Sequence, residues 1–321
     1  MKPIVITSGE PAGIGVNLLG YLPQASFAAP LVILADRELL LDRCPRIKLP
    51  TYTTNTEDLP PISLLHTPLK EPSVAGQLNP ANSSVVISML ERATQGCLSG
   101  EFSAMVTCPV HKAVINEGYG KFFGHTDWLA QFTKSKAVML MVRDSQRVAL
   151  FTTHIPIAKV SKTLTPHALR ICLTIIQRDF VKLFGIAHPK IVVCGLNPHA
   201  GEYGYLGSEE RDVINPVIVA LNKAGFNITG SVPADTAFIK ENWQKTDVIV
   251  AMYHDQGLIP IKKQGLNQVV NVTLGLPIIR TSVSHGTALN LACCSGSGCA
   301  FADPGSLIAA IKLAIQMATS S

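Results

Sequence analysis

Charge is scarce in this chain: Asp, Glu, Lys and Arg make up 15% of its 321 residues, against 47% hydrophobic residues. A chain this poor in charge and rich in apolar residues excludes disorder, and its length favours two domains over one. The net charge is +5, yet no basic run is longer than a few residues. That excludes the Lys/Arg stripe that phosphodiester tracking needs, so no nucleic-acid partner is expected, while a small anionic substrate is compatible. No apolar stretch reaches membrane-spanning length, so no membrane partner is expected either. Cys-x-x-Cys pairs are absent among the eight cysteines, Cys44, Cys97, Cys108, Cys172, Cys194, Cys293, Cys294 and Cys299. Free cysteines in strand and helix patterns behave as small hydrophobes. Met1-Lys-Pro-Ile-Val-Ile enters a strand without a signal-peptide design. The expectation is a reduced, soluble, cytoplasmic protein. Gly9-Glu-Pro-Ala-Gly13-Ile-Gly15 lacks a following Gly-Lys-Thr, and Pro11 breaks the dinucleotide spacing. Neither a P-loop nor a Rossmann turn is indicated. Internal repeats are missing too.

What is present is an alternation of strand-like and helix-like segments, which predicts an α/β protein with mostly parallel sheet. Pro3–Ser8, Leu31–Ala35, Phe102–Thr107, Lys190–Gly195 and Asp247–Val250 read as strands. Ala137–Val142 and Arg147–Thr153 read as a hairpin about Asp144-Ser145, and Thr165-Pro166 opens a long amphipathic helix to Phe184. Leu49 to Pro80, rich in Pro, Thr and Asn, reads as irregular connections with short extended pieces.

Three of the strand-like runs close on histidine. Arg147–Thr153 is followed by His154, Lys190–Gly195 leads to Asn197-Pro-His199, and Asp247–Val250 leads to Ala251-Met-Tyr-His254-Asp255-Gln256-Gly257. In open α/β sheets ligands bind at the carboxyl edge. Three imidazoles delivered to one such edge would make a divalent-metal site built by the scaffold, although a single histidine in a polar loop is usually a surface or capping group. Asp235 and Asp255 could be ligands, partners of the histidines or proton acceptors; their alternative is capping. A second set is cationic: Lys112, His125, Lys262 and Arg280 lie at or near strand ends, with Asn271 as a neutral donor. Together they suit a small substrate carrying phosphate and carboxylate.

Six motifs occur in order: Thr7–Gly15, Gly124-His-Thr-Asp127, Asn197-Pro-His-Ala-Gly-Glu202, Pro233-Ala-Asp-Thr236, Ala251–Gly257 and His285-Gly-Thr-Ala288. In this the chain closely resembles the 4-hydroxythreonine-4-phosphate dehydrogenase family over essentially its whole length. The last motif is also similar to the cofactor loop of the isocitrate/isopropylmalate dehydrogenase superfamily. Two departures stand out. The family usually has Asp where this chain has Ser284. It carries a short turn where this chain reads Ala292-Cys-Cys-Ser-Gly-Ser-Gly-Cys-Ala300. Both bear on cofactor choice and affinity.

The resemblance implies two α/β/α domains, isocitrate/isopropylmalate dehydrogenase-like and not Rossmann, with the active site in the interdomain cleft at a homodimer interface. The expected domains are 1–124 with 265–321, carrying the cofactor loop, and 125–264, carrying the metal histidines. It implies His154, His199 and His254 as ligands of one divalent metal, Zn²⁺, Co²⁺ or Mg²⁺. Substrate contacts would fall on His125, Thr126, Lys262, Asn271 and Arg280, and catalytic proton transfer on Asp235, Asp255 and Lys262. NAD or NADP would lie against His285, Gly286, Thr287, Ala288 and Asn290. The implied reaction is oxidation of 4-phosphohydroxy-L-threonine followed by decarboxylation, in pyridoxine 5′-phosphate biosynthesis, with the product consumed by pyridoxine 5′-phosphate synthase. Rival readings are a related dehydrogenase acting on another 4-phosphorylated hydroxy acid or an aromatic dihydrodiol, a metallohydrolase, and a metal-dependent binding protein without turnover.

Overall fold

The structure is a computed structural model of the chain, and residues 1–54, 59–263, 265, 267–293 and 302–320 are described. Among them run eleven strands: β1 (Ile4–Thr7), β2 (Leu31–Ala35), β3 (Ile62–His66), β4 (Ala104–Thr107), β5 (Val138–Arg143), β6 (Gln146–Leu150), β7 (Lys190–Cys194), β8 (Asn227–Val232), β9 (Val248–Ala251), β10 (Val270–Leu274) and β11 (Arg280–Val283). The chain divides into two compact units. The first holds Met1–Ser135, Leu266–Val270 and Leu276–Thr319, and the second holds Lys136–Gly265, Asn271–Gly275 and Ser320–Ser321.

In the first unit the strands lie in the order β3-β2-β1-β4-β11, and every neighbouring pair is parallel. Parallel strands have both faces covered, so they carry continuous apolar runs instead of alternation. Ile4-Val-Ile6 and Leu31-Val-Ile-Leu-Ala35 are wholly buried on that account. Each such side chain contributes about 1.5–3 kcal/mol by leaving water. The helices Ser83–Leu98 and Gly305–Ser320 belong to this unit. Thr281 Oγ1 donates to Ala310 O at 2.8 Å. β3 lies inside the stretch that the sequence suggested was irregular. It is a five-residue edge strand, and its Ile-Ser-Leu-Leu-His sequence is too short to stand out among flanking prolines.

In the second unit β5 and β6 form the expected hairpin, antiparallel with Arg143 opposite Gln146. From β6 the order continues β9-β7-β8, with every pair parallel. Thr165 caps the helix Pro166–Phe184 by accepting the Ala168 N–H at 3.2 Å. Buried Asp179 on this helix accepts the Gly275 N–H at 2.6 Å. Gly275 adopts φ +91°, and a Cβ there would meet Lys136 O at 2.0 Å, so only glycine fits.

Cys44, Cys97, Cys108, Cys172 and Cys194 are free thiols. The departures from the family pattern in Cys294 to Ala300 lie outside the described residues. No helix among the described residues is long and apolar enough to cross a membrane.

Candidate active site

The topology of the second unit explains how distant histidines share one edge. β6, β9 and β7 are adjacent and parallel, with Leu150 opposite Ala251 and Val193 opposite Val250. Their carboxyl ends therefore lie side by side, and each is followed within a few residues by His154, His254 or His199. The His154 and His254 rings stand 5.5 Å apart between centroids. Two imidazoles bound tetrahedrally to one Zn²⁺ at ~2.0 Å would place their centroids roughly 5 Å apart, so this pair fits a shared cation. A cavity of about 290 Å³ opens between Thr153, His154, Ile157, Tyr253, His254 and Asp255. His254 Nδ1 lies 2.7 Å from Asp255 Oδ1. A carboxylate beside one ring nitrogen is the contact that commonly orients a metal-binding imidazole.

His254 is not the last residue of a strand. It begins the helix His254–Lys262, with Tyr253 as N-cap in extended conformation. Asp255 sits in the first helical turn, where its charge is favoured by the helix dipole. Lys262 is in the last turn. Asp235 is exposed, on the short helix Ala234–Ala237.

His199 is exposed on the turn that follows β7. Among the described residues no three His, Cys, Asp or Glu side chains gather closely enough to hold a metal ion. The structure thus brings together two of the three expected ligands. His199 is held on an unusual backbone: His199, Ala200, Gly201, Glu202 and Tyr203 all have positive φ, from 40° to 77°. Buried Glu210 organises this run, since its Oε1 accepts the Leu196 and Asn197 N–H groups, both at 2.7 Å, and its Oε2 accepts Asn197 Nδ2 at 2.9 Å. Asn271, on β10, buries its side-chain oxygen without a hydrogen-bond partner.

The first unit carries the cationic cluster. Arg280, the first residue of β11, is 2% exposed and donates from Nη2 to Thr107 Oγ1 at 2.7 Å. Burial brings its pKa down to about 9. Gly124, at φ +143°, lies under Lys112, since a Cβ there would meet Lys112 Cε at 3.2 Å and Nζ at 3.4 Å. His125 follows at the start of the helix His125–Phe132, with Thr126 in the same turn. His125 Nε2 is buried with no partner. Its pKa is held well below the usual imidazole range, first by burial and then by the Arg280 and Lys112 charges. A buried, unpaired ring nitrogen that feels two cationic side chains is a group an incoming anion would satisfy.

That depressed pKa sets a pH dependence. Below about pH 6.5 the unfolded chain takes up a proton that native His125 refuses, so stability falls as pH drops through that value and is unaffected above it. Denaturant midpoints at pH 7.5 and 5.5 should show His125→Gln losing less than wild type. Equal losses would remove this explanation.

The segment His285–Asn290 packs in the same unit against the glycine-rich turn. Ile14 N donates to Thr287 O at 2.9 Å, and Gly76 N to Ala12 O at 2.9 Å. Cβ atoms on Gly13 and Gly76 would meet Thr287 O and Leu289 O at 3.1 and 3.0 Å. Gly286 faces open space, and Gly286 and Asn290 are exposed, while His285 Nδ1 lies 2.9 Å from Gly286 O. Glu10 is buried in the turn, where it accepts the Ala12 N–H and burial raises its pKa.

Sequence reasoning left two of these residues without a role: Thr107 and Glu210. Their signal is weak because each works through a hydrogen bond to a group distant in sequence.

These features define an α/β protein that presents imidazoles and carboxylates in one unit and a cationic cluster in the other. A family model described as "Pyridoxal phosphate biosynthetic protein PdxA" matches residues 26–314. The chain belongs to the PdxA family, whose members include oxidoreductases. It is 47% identical to the 4-hydroxythreonine-4-phosphate dehydrogenase of Chromobacterium violaceum, over 99% of this chain and 97% of the relative. Among solved structures it is similar to the 4-hydroxythreonine-4-phosphate dehydrogenase of Klebsiella pneumoniae, with TM-score 0.87, 32% identity, and 99% and 100% of the two chains covered. It is also similar to a terephthalate 1,2-cis-dihydrodiol dehydrogenase from Burkholderia xenovorans LB400, with TM-score 0.68, 25% identity, and 98% of each chain covered.

Proposed function

We propose that the protein oxidises 4-phosphohydroxy-L-threonine with NAD⁺ or NADP⁺ in the presence of a divalent metal. The product, 2-amino-3-oxo-4-(phosphooxy)butanoate, loses CO₂ to give 3-amino-2-oxopropyl phosphate for pyridoxine 5′-phosphate synthesis. The observation that carries this reading is the full-length family match, and the two clusters supply groups the reaction needs. Arg280, Lys112 and His125, with Thr126, would hold the phosphate; a buried guanidinium forms short, charge-assisted bonds to phosphate oxygens. Asn271 and Lys262 would orient the amino-acid end. His154, His199 and His254 would hold the cation, with Asp255 fixing the His254 ring. When bound, the cation would acidify the substrate hydroxyl and stabilise the enolate left by decarboxylation, and the nicotinamide would accept the hydride. Lys262, Asp235 or Asp255 would take the hydroxyl proton. His285, Gly286, Thr287, Ala288 and Asn290 would position the dinucleotide. We further read the active site as lying in the interdomain cleft at a homodimer interface. Family membership sets aside the metallohydrolase.

The likeness to a dihydrodiol dehydrogenase favours one second reading, an aromatic dihydrodiol as substrate. Nicotinamide absorbance followed on each compound, with and without chelator, separates the two. The expected result is chelator-sensitive reduction of NAD⁺ or NADP⁺ with 4-phosphohydroxy-L-threonine. Turnover of the dihydrodiol alone would overturn the substrate assignment.

A further inference from the structure

We propose that Thr107 is a positioning residue that aims the Arg280 guanidinium at the substrate's phosphate. The proposal rests on the reading of Arg280 as a phosphate contact and goes beyond it, because Thr107 acts through Arg280 and not on the substrate.

All the residues involved belong to the first unit. Arg280 opens β11 and lies opposite Met105 of β4, whereas Thr107 ends β4 and lies opposite Ser282. Residues two apart on a strand share a face, so Arg280 and Thr107 project from the same side of the sheet at different levels. Arg280 Nε and Nη2 both donate to Thr107 Oγ1, at 3.2 and 2.7 Å. The arginine is therefore rooted below the carboxyl edge, and its head is drawn up to that edge. A single oxygen holding two donors of a planar fork also sets the plane of the fork. The helix Lys112–Gly118 and then His125 follow β4 in the chain. His125 Nε2 is buried without a partner, and of the two cations that lower the His125 pKa Arg280 acts more strongly than Lys112. The guanidinium is thus directed toward the same place as the orphaned imidazole nitrogen.

Two properties of Thr107 suit this task. It is 0% exposed, and Thr7 on β1 and Ser282 on β11 flank it in register. Its backbone is fixed by strands on both sides, and a β-branched side chain is stiff at χ1. Its hydroxyl is also neutral. A carboxylate in this place would grip the guanidinium more tightly but would cancel the charge that an anion seeks. A hydroxyl orients the group and leaves its charge intact. Rotamer freedom of the long side chain is then lost on folding and not on substrate binding.

The experiment uses the full-length protein. It reads the dissociation constant of inorganic phosphate by titration calorimetry, and KM and kcat for 4-phosphohydroxy-L-threonine. Wild type is compared with Arg280→Met, Thr107→Val, Thr107→Ser, Thr107→Cys and the double variant Thr107→Val with Arg280→Met. Thermal unfolding checks the fold. Thr107→Val keeps the shape and removes the hydroxyl. It is expected to weaken phosphate binding about tenfold and to raise KM by about the same factor, with kcat within about twofold. Thr107→Ser keeps the acceptor and should stay within about threefold of wild type. Added to Arg280→Met, Thr107→Val should lower kcat/KM by less than about twofold, since no guanidinium remains to be aimed. A merely structural role would lower it equally in both backgrounds. Thr107→Cys, with a weak sulfur acceptor, should behave as Thr107→Val and decides the matter if the valine variant does not fold. Suppose Arg280→Met loses phosphate while Thr107→Val and Thr107→Cys stay within about twofold of wild type, or the valine effect is the same in both backgrounds. Thr107 then has no aiming role, and the phosphate site stands. If Arg280→Met binds phosphate as wild type does, the phosphate reading falls and takes this proposal with it.

Discussion

Replacing His199 by Ala is expected to abolish metal-dependent turnover. The alcohol proton of a secondary carbinol is far too weakly acidic to leave at neutral pH unaided. Lewis-acid assistance supplies several kcal/mol of that barrier, and each 1.36 kcal/mol is tenfold in rate. If His199 is one of three nitrogen ligands of the cation, as proposed, its loss should lower kcat by about a thousandfold. His199 is exposed, on a turn whose backbone is held by Glu210 and not by the imidazole. The variant should thus fold normally. The check pairs steady-state kinetics with metal content after dialysis. Wild-type turnover by His199→Ala in metal-stripped buffer would refute the assignment.

Arg280→Met should lower kcat/KM for the phosphorylated substrate by two to three orders of magnitude. A charge-assisted hydrogen bond contributes about 1.5–3 kcal/mol, and a guanidinium can make two to one phosphate. The loss should appear largely in KM, since a phosphate remote from the reacting carbon is bound alike in ground and transition states. Stability offers a control. Arg280 is buried at 2% exposure and donates to Thr107 Oγ1, so the variant's melting temperature must be measured beside its kinetics. A normal melting temperature with a raised KM supports the assignment. An unchanged KM would remove Arg280 from the substrate site. Arg280→Lys keeps the charge without the planar fork and should fall between the two.

Much of the scaffold was legible in the sequence because buried parallel strands advertise themselves as unbroken apolar runs. β1, β2, β4, β7 and β9 were all of this kind, and Asp144-Ser145 marked the hairpin between β5 and β6. β3 escaped because five edge residues between prolines leave no period to read. The histidines were visible as strand-end residues, but the adjacency of β6, β9 and β7 was not. Which strands pair is decided by crossover connections, which local pattern does not encode. Nor could the sequence show the left-handed backbone at His199. Ala, Glu and Tyr are poor choices for positive φ, so tertiary contacts must impose it. The buried carboxylate of Glu210 gives no local signal either, since glutamate in a helical pattern usually faces water.

That left-handed run has a thermodynamic consequence. Four of its residues, His199, Ala200, Glu202 and Tyr203, are not glycine, and each such conformation costs about 1 kcal/mol or more. The expense is met during folding, by Glu210 and its bonds to Leu196 and Asn197. An arriving cation would find this arm already rigid, so little of its binding free energy would be diverted into ordering the loop.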